Sequence, residues 1–275
     1  MEPWDTIIVG AGPAGLTAAT YLARFRRHVL VLDGGPSRAA WIPESHNTPG
    51  FPYGVGGPDL LTLMTKQAEQ FGVAFQRARA LRMSRAEGRF TVATSEGRLA
   101  ARAVLVATGV LDRMPDLPDL AMAIRSGVVR MCPICDAFEA IGKRLAVLGR
   151  GGLAGREAQF LRTYSDDVAV LDPGKGRLAF TKGGVEWTAA NGAVRCFDHL
   201  YLALGCKPQS SLCTVLGAAR DAEGNLIVDT HQMTSVDGLY AAGDVVRGLN
   251  QIAVATGEAA IAATAIHNRL RTDAS

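Results

Sequence analysis

A glycine turn written twice constrains this chain more than any other feature. Thr6-Ile7-Ile8-Val9 reads as a buried strand, and Gly10-Ala11-Gly12-Pro13-Ala14-Gly15 as a tight turn opening a helix over Leu16 to Phe25. His28 to Leu32 is a second strand, ending at Asp33. The series returns as the strand Leu145 to Leu148, the turn Gly149-Arg150-Gly151-Gly152-Leu153-Ala154, a helix through Arg162, and the strand Val168 to Leu171 ending at Asp172. The offset is 139 residues at both the first glycine and the closing aspartate. Continuous apolar strands alternating with helices belong to parallel sheets covered on both faces. Two such βαβ units predict an α/β protein with two Rossmann-like, doubly wound nucleotide-binding domains.

Each residue of the first turn has a physical task. Gly10 permits the sharp bend, Gly12 lets backbone approach a pyrophosphate, and Gly15 lets the helix pack on the strand. With Pro13 and Ala14 they form the helix N-terminus, whose free N–H groups and positive dipole end suit phosphate. Asp33, followed by Gly34, is placed to accept hydrogen bonds from a ribose. The fingerprint by itself does not separate FAD from NAD, and a glycine turn used only for packing is the bland alternative.

Between the two turns lies Cys132-Pro133-Ile134-Cys135-Asp136. Disulfide exchange needs a thiolate attacker and a second thiol to resolve the mixed disulfide. A Cys-x-x-Cys at a helix N-terminus supplies both, because the dipole lowers a thiol pKa. Pro133 suits the first helical turn, where its missing N–H is not needed. Half of a zinc site is an alternative, but a second Cys-x-x-Cys or His pair is absent, so no metal is expected. Buried inert thiols are the other. Cys196, Cys206 and Cys213 read as small core or surface residues.

Taken together, Gly10 to Gly15, His46-Asn47-Thr48-Pro49-Gly50-Phe51, Ala107-Thr108-Gly109, Cys132 to Asp136, and Gly238 to Asp244 with Gln251 resemble the low-molecular-weight thioredoxin reductase family of flavoproteins. The resemblance covers nearly the whole chain and implies FAD as cofactor. It implies that Asp244, after Gly243, holds the ribityl chain. It further implies that Asn47, the backbone near Ala80, Thr108 with Gly109, and the Gln251-Ile252 backbone line the flavin. By the same resemblance Cys135 faces the flavin, Cys132 exchanges with substrate, and Asp136 is the acid or base that manages the thiol proton. A homodimer, a small domain that rotates, and thioredoxin or a similar small protein as partner are likewise implied. The position of Asp244 implies that the second domain is inserted into the first. The FAD domain would span 1–114 and 235–275, with 115–234 between.

The second turn departs from that family. Gly149-x-Gly151-x-x-Ala154 is acceptable, since Ala can replace the packing glycine. Thioredoxin reductases that use NADPH follow the next strand with a His-Arg-Arg cluster for the 2′-phosphate. Here Asp172-Pro173-Gly174 stands in its place. A carboxylate there repels a 2′-phosphate and suits a free 2′-OH, although Lys175 and Arg177 follow, and Arg150 inside the turn could touch or obstruct a phosphate. The second copy is also short: Asp172 to Gly205 spans 33 positions against 76 for Asp33 to Gly109. NADH, weak NADPH use, or no nucleotide all remain open.

Composition sets the outer limits. The chain has 275 residues, 48% hydrophobic and 20% charged, with a net charge of +3. That is globular, and the scattered charge gives no nucleic-acid footprint. No apolar run has the length of a membrane span. The first strand begins at Thr6, leaving no room for a signal peptide, so a cytoplasmic protein is expected. Five cysteines is an odd number in a chain too large to need disulfide staples, which favours reduced thiols plus one working pair. The leading expectation is an FAD-dependent thiol–disulfide oxidoreductase acting on a thioredoxin-like protein or a small-molecule dithiol or disulfide. The alternatives are a flavin dithiol oxidase independent of NAD(P)H or an enzyme with a non-pyridine electron donor, and a flavin-binding redox sensor without turnover.

Overall fold

A computed structural model describes residues 3–272. The chain divides into two compact units. The first runs to Ala40, over Pro58–Leu111 and from Lys207 onward, and the second holds Trp41–Gly57 and Asp112–Cys206. The two segments of the second unit thus interrupt the first along the chain.

The first unit is built on a seven-stranded sheet. Ala74–Gln76, Val29–Leu32, Trp4–Val9 and Gly97–Val106 lie side by side and parallel, and Leu239–Ala241 joins the last of them, also parallel. The other end of Gly97–Val106 pairs antiparallel with Arg89–Thr94, which pairs with Ala80–Ala86. Successive strand residues point to opposite faces, and both faces are covered here. Ile8 joins Val31, Leu105 and Leu22 in one core cluster, while its neighbour Ile7 joins Val104, Phe90 and Leu239 in another. This double burial is why the strands read as unbroken apolar runs.

The helix Pro13–Arg24 and the helix Ile252–Thr272 pack in the first cluster through Ala18, Ala19, Ala259, Ala262 and Ala263. Small side chains let two helix backbones come close. The first helix starts at Pro13, earlier than the apolar pattern suggests, because Gly12 caps it and Pro13 fits its first turn.

The second unit repeats the plan in reduced form. Val168–Leu171, Leu145–Gly149, His199–Ala203 and Val129–Arg130 make a parallel four-stranded sheet. The helix Gly151–Leu161 buries Ala154, Ala158 and Leu161 with Leu145 and Val147. After Leu171 the chain forms an antiparallel three-stranded sheet, Gly176–Thr181, Gly184–Ala189 and Val194–Phe197. In the first unit the corresponding stretch includes the helix Gly57–Glu69 and the parallel strand Ala74–Gln76. The short meander accounts for the missing length.

Candidate functional site: a phosphate cradle and a redox disulfide

The first turn is shaped by close backbone approach. Gly10 has φ +117°, and a Cβ there would lie 2.3 Å from the Ala107 carbonyl oxygen. A Cβ on Gly15 would lie 1.9 Å from the Gly10 carbonyl oxygen. Only glycine fits either place, so the helix N-terminus meets the strand end with no side chain between them. Gly12 is the N-cap without a side-chain cap, Pro13 follows at the helix start, and Ala14 is buried. The first N–H groups of this helix therefore stand ready for an anion.

The other expected cofactor residues of the first unit surround this turn or the strands beside it. Asp33 ends its strand, and its carboxylate accepts the Gly35 N–H at 3.1 Å. Gly34 backs onto Arg79, just before Ala80 begins its strand. The Thr108 hydroxyl donates to the Gln209 carbonyl, and the Gln209 amide donates to the Thr108 carbonyl, each at 2.8 Å. The Gly109 carbonyl accepts the Gln209 N–H at 2.9 Å. The Gly243 N–H donates to the buried Glu258 carboxylate at 2.9 Å. Asp244 is ion-paired with Arg38 at 3.4 Å. Gln251 turns the chain into the last helix at Ile252, its carbonyl accepting the Ala255 N–H. Arg38 and Glu258 carried no signal in the sequence, since they reach these positions across 206 and 15 residues.

In the second unit Cys132 and Cys135 form a disulfide. Cys132 caps the single helical turn Pro133–Asp136, with Pro133 at its start. The expected helix N-terminus is present, but one turn carries much less dipole than a full helix, because the macrodipole is a sum over aligned peptides. Asn47 and His46 line a cavity of about 380 Å³ together with Cys135, Phe138, Glu139 and Tyr164. Asn47 accepts a hydrogen bond from the Ser45 hydroxyl, and His46 pairs with Glu44. Ile134 and Phe138 are exposed next to the disulfide.

Asp136 stands in an unusual setting. Burial pushes its carboxyl up to about 6, against the opposing pull of the Arg130 charge and the Tyr201 hydroxyl. Its Oδ1 is buried without a hydrogen-bond partner among the described residues. A carboxyl titrating near neutrality can hold a proton and give it up, which an acid beside a thiol needs. Arg130 and Tyr201 escape sequence reading because they come from neighbouring strands, not from the cysteine segment.

The second turn keeps the architecture of the first. A Cβ on Gly149 would lie 2.5 Å from the Ala203 carbonyl oxygen, the counterpart of Gly10 on Ala107. Gly151 starts the helix and Ala154 is fully buried. What differs is the carboxylate. Asp172 accepts the Gly174 N–H at 2.9 Å and the Arg150 guanidinium at 2.6 Å, which hold its carboxyl below the usual range. Arg150 rises from the turn itself and, with Arg113 and Gly174, borders a cavity of about 550 Å³.

Comparison with known proteins agrees with this geometry. The family model described as pyridine nucleotide-disulphide oxidoreductase matches residues 4–183 and 179–259. A thioredoxin reductase of Treponema pallidum (strain Nichols) is 28% identical, with 95% of each chain covered. One from Listeria innocua is 27% identical over 94% of this chain and 91% of its own. Among solved structures, the thioredoxin reductase of Streptococcus pyogenes superposes with a TM-score of 0.89 at 26% identity, covering 98% of both chains. HlmI superposes with a TM-score of 0.91 at 28% identity, covering 99% of this chain and 94% of its own. The glycine cradle fits the pyrophosphate of FAD, because the space a Cβ would take at Gly10 and Gly15 is taken by backbone that brings the helix N-terminus to the strand end.

Proposed function

Because this chain belongs to the pyridine nucleotide-disulphide oxidoreductase family and is an FAD-dependent thiol–disulfide oxidoreductase, we propose a cycle in which an electron pair moves between FAD and Cys132–Cys135. The pair then exchanges with an external disulfide or dithiol. The observation that carries this reading is the Cys132–Cys135 disulfide followed directly by a carboxyl raised to about 6.

The roles divide as follows. FAD, when bound, supplies the two-electron carrier. Gly10, Gly12, Pro13, Ala14 and Gly15 cradle its pyrophosphate, and Asp33 with Gly34 takes the adenosine ribose. Ala80, Thr108, Gly109, Gly243, Asp244, Gln251 and Ile252 hold the rest of the cofactor, with Asn47 contributing from the loop before Thr48. Cys132 exchanges with the external thiol and Cys135 with the cofactor. Asp136 gives a proton to the departing thiolate and takes it back in the reverse step. A thioredoxin-like protein as the external partner is supported by the naming of the relatives, and a homodimer by the family resemblance. The odd cysteine count supports a cytoplasmic setting.

A second reading concerns the electron donor. Gly149, Gly151, Ala154 and Asp172 form a nucleotide turn, yet Asp172 is already engaged by Arg150 and Gly174. That pairing supports an enzyme that works on a small-molecule dithiol without NAD(P)H. Anaerobic absorbance titration of the FAD-loaded protein with NADH, NADPH and dithiothreitol decides between them. Bleaching of the flavin band by one nucleotide establishes the reductase. Bleaching by dithiothreitol alone, lost in Cys135→Ser, leaves the dithiol oxidase. Bleaching by dithiothreitol that survives in Cys135→Ser would sink both readings.

A further inference from the structure

A polar chain built from two neighbouring strands reaches the residue that follows the disulfide. Val129–Arg130 and His199–Ala203 are neighbouring parallel strands, and Arg130 is the register partner of Tyr201. The Arg130 side chain is 13% exposed, so its charge is largely desolvated. One terminal nitrogen, Nη1, donates to the Asp136 main-chain carbonyl at 2.9 Å and lies 3.4 Å from Asp136 Oδ2. The Tyr201 hydroxyl donates to the same carbonyl at 3.4 Å.

Arg130 is in turn held from behind. Its Nε donates to the Gly127 carbonyl at 3.3 Å. His199 Nδ1 lies 3.0 Å from that carbonyl, and His199 Nε2 lies 3.4 Å from Arg130 Nη2. A carbonyl only accepts, so Nδ1 carries the proton and Nε2 is left to accept from Arg130. Burial and the Arg130 charge both hold His199 below its usual range, which keeps it neutral and consistent with that tautomer. The guanidinium is thus fixed on three sides, by Gly127, His199 and Asp136.

We propose that Arg130 is a positioning residue for the disulfide chemistry, fixing the Asp136 main chain and carboxyl together and setting the charge that Asp136 carries when Cys135 departs. This rests on the reading of Asp136 as the proton donor. In that step an external thiolate attacks Cys132 Sγ, the Cys132–Cys135 bond breaks, and a mixed disulfide forms. Cys135 leaves with the electron pair and takes the proton of the Asp136 carboxyl. The second thiol of the dithiol then loses its proton to the Asp136 carboxylate, attacks the mixed disulfide and releases Cys132 as thiolate. Two electrons pass from the dithiol to the protein, and the dithiol becomes a disulfide.

The groups acting on Asp136 fix the direction of the expected effect. Arg130 and Tyr201 favour its anion, while burial and Glu139 oppose it. Glu157, on the helix packed against this turn, responds to its own burial and to Arg156. Removing Arg130 therefore keeps Asp136 protonated to higher pH. The test uses the full FAD-loaded chain and dithiothreitol as the probe. Reduction of the Cys132–Cys135 pair is followed by rapid quench, alkylation and mass spectrometry. The rate is normalised to dithiothreitol thiolate at each pH.

The normalised rate of the unaltered protein is expected to fall as pH rises through about 6. Arg130→Met moves that fall upward by about one pH unit, the low end for loss of a neighbouring opposite charge. Arg130→Lys restores most of it, and Tyr201→Phe gives a smaller move in the same direction. A midpoint unmoved in both Arg130→Met and Tyr201→Phe overturns the inference even if Asp136→Asn abolishes the fall. A fall that persists in Asp136→Asn removes the proton-donor reading itself, and this inference with it.

Discussion

At the scale of single residues, two kinds of position decide what this protein can do. Gly10 and Gly15 hold close backbone contacts that any side chain breaks, with a Cβ on Gly15 placed 1.9 Å from the Gly10 carbonyl. Gly15→Ala should destabilise by at least about 2 kcal/mol, the upper part of the range for strained substitutions. It should also release FAD, read as loss of flavin absorbance after gel filtration. The cysteines form the other kind. Burial pushes the Cys213 thiol up to about 12, whereas Cys196 is exposed. Iodoacetamide at pH 8 should alkylate Cys196 in the oxidised protein and leave Cys213 untouched until the chain unfolds, checked by peptide mapping. The residues of both glycine turns and of the cysteine pair were legible in the sequence because each motif is local. The cluster of Arg130, Tyr201 and His199 was not, because strand pairing brings Tyr201 to Asp136 across 65 residues and His199 to Arg130 across 69.

At the scale of elements, small side chains and short connections carry the argument. The helices Pro13–Arg24 and Ile252–Thr272 meet through alanines, and Ala259 and Ala263 are fully buried. Ala259→Leu should cost about 1–3 kcal/mol by overpacking, measured by denaturant unfolding. The turn Gly149 to Ala154 behaves differently. Its Arg150–Asp172 pair has side chains 65% and 30% exposed, and exposed pairs contribute at most about 1 kcal/mol. Arg150→Ala should therefore leave stability within that margin while freeing Asp172. If the pair is what discourages a dinucleotide, NADH should bleach the flavin faster in this variant, whereas unchanged kinetics would remove Arg150 from the donor question. Helix starts were misjudged by a few residues in the sequence for a specific reason. Apolar periodicity begins only where the helix turns inward, but the first turn is set by Gly12 and Pro13.

At the scale of the whole molecule, buried carboxyls make stability depend on pH. Asp136 and Glu157 are raised by burial to about 6 and about 7. A carboxyl with a raised folded pKa stabilises fully below its ordinary range, and that stability is lost as pH rises through the folded value. Asp198 works the other way: Arg144 holds it down to about 2, so its contribution is present at neutral pH and is lost progressively as pH falls from the ordinary carboxylate range through about 2. Glu157→Gln should thus raise the melting temperature at pH 8 by a few degrees and leave it unchanged at pH 4, checked by scanning calorimetry at both values. A larger gain at pH 4 would contradict the assignment of Glu157 as the buried acid.

The sequence by itself determined the two βαβ units, the two glycine turns and the cysteine pair. Each is specified by residues within about 30 positions of one another, where backbone geometry is forced by glycine, proline and apolar alternation. Only the tertiary structure decided how those parts are tuned. The carboxylate of Asp172 is engaged by Arg150, Asp244 is paired with Arg38, and Asp136 is largely buried against Arg130 and Tyr201. The physical reason is that charge and burial are properties of a site in space. They depend on which strands become neighbours, and no local pattern along the chain records that.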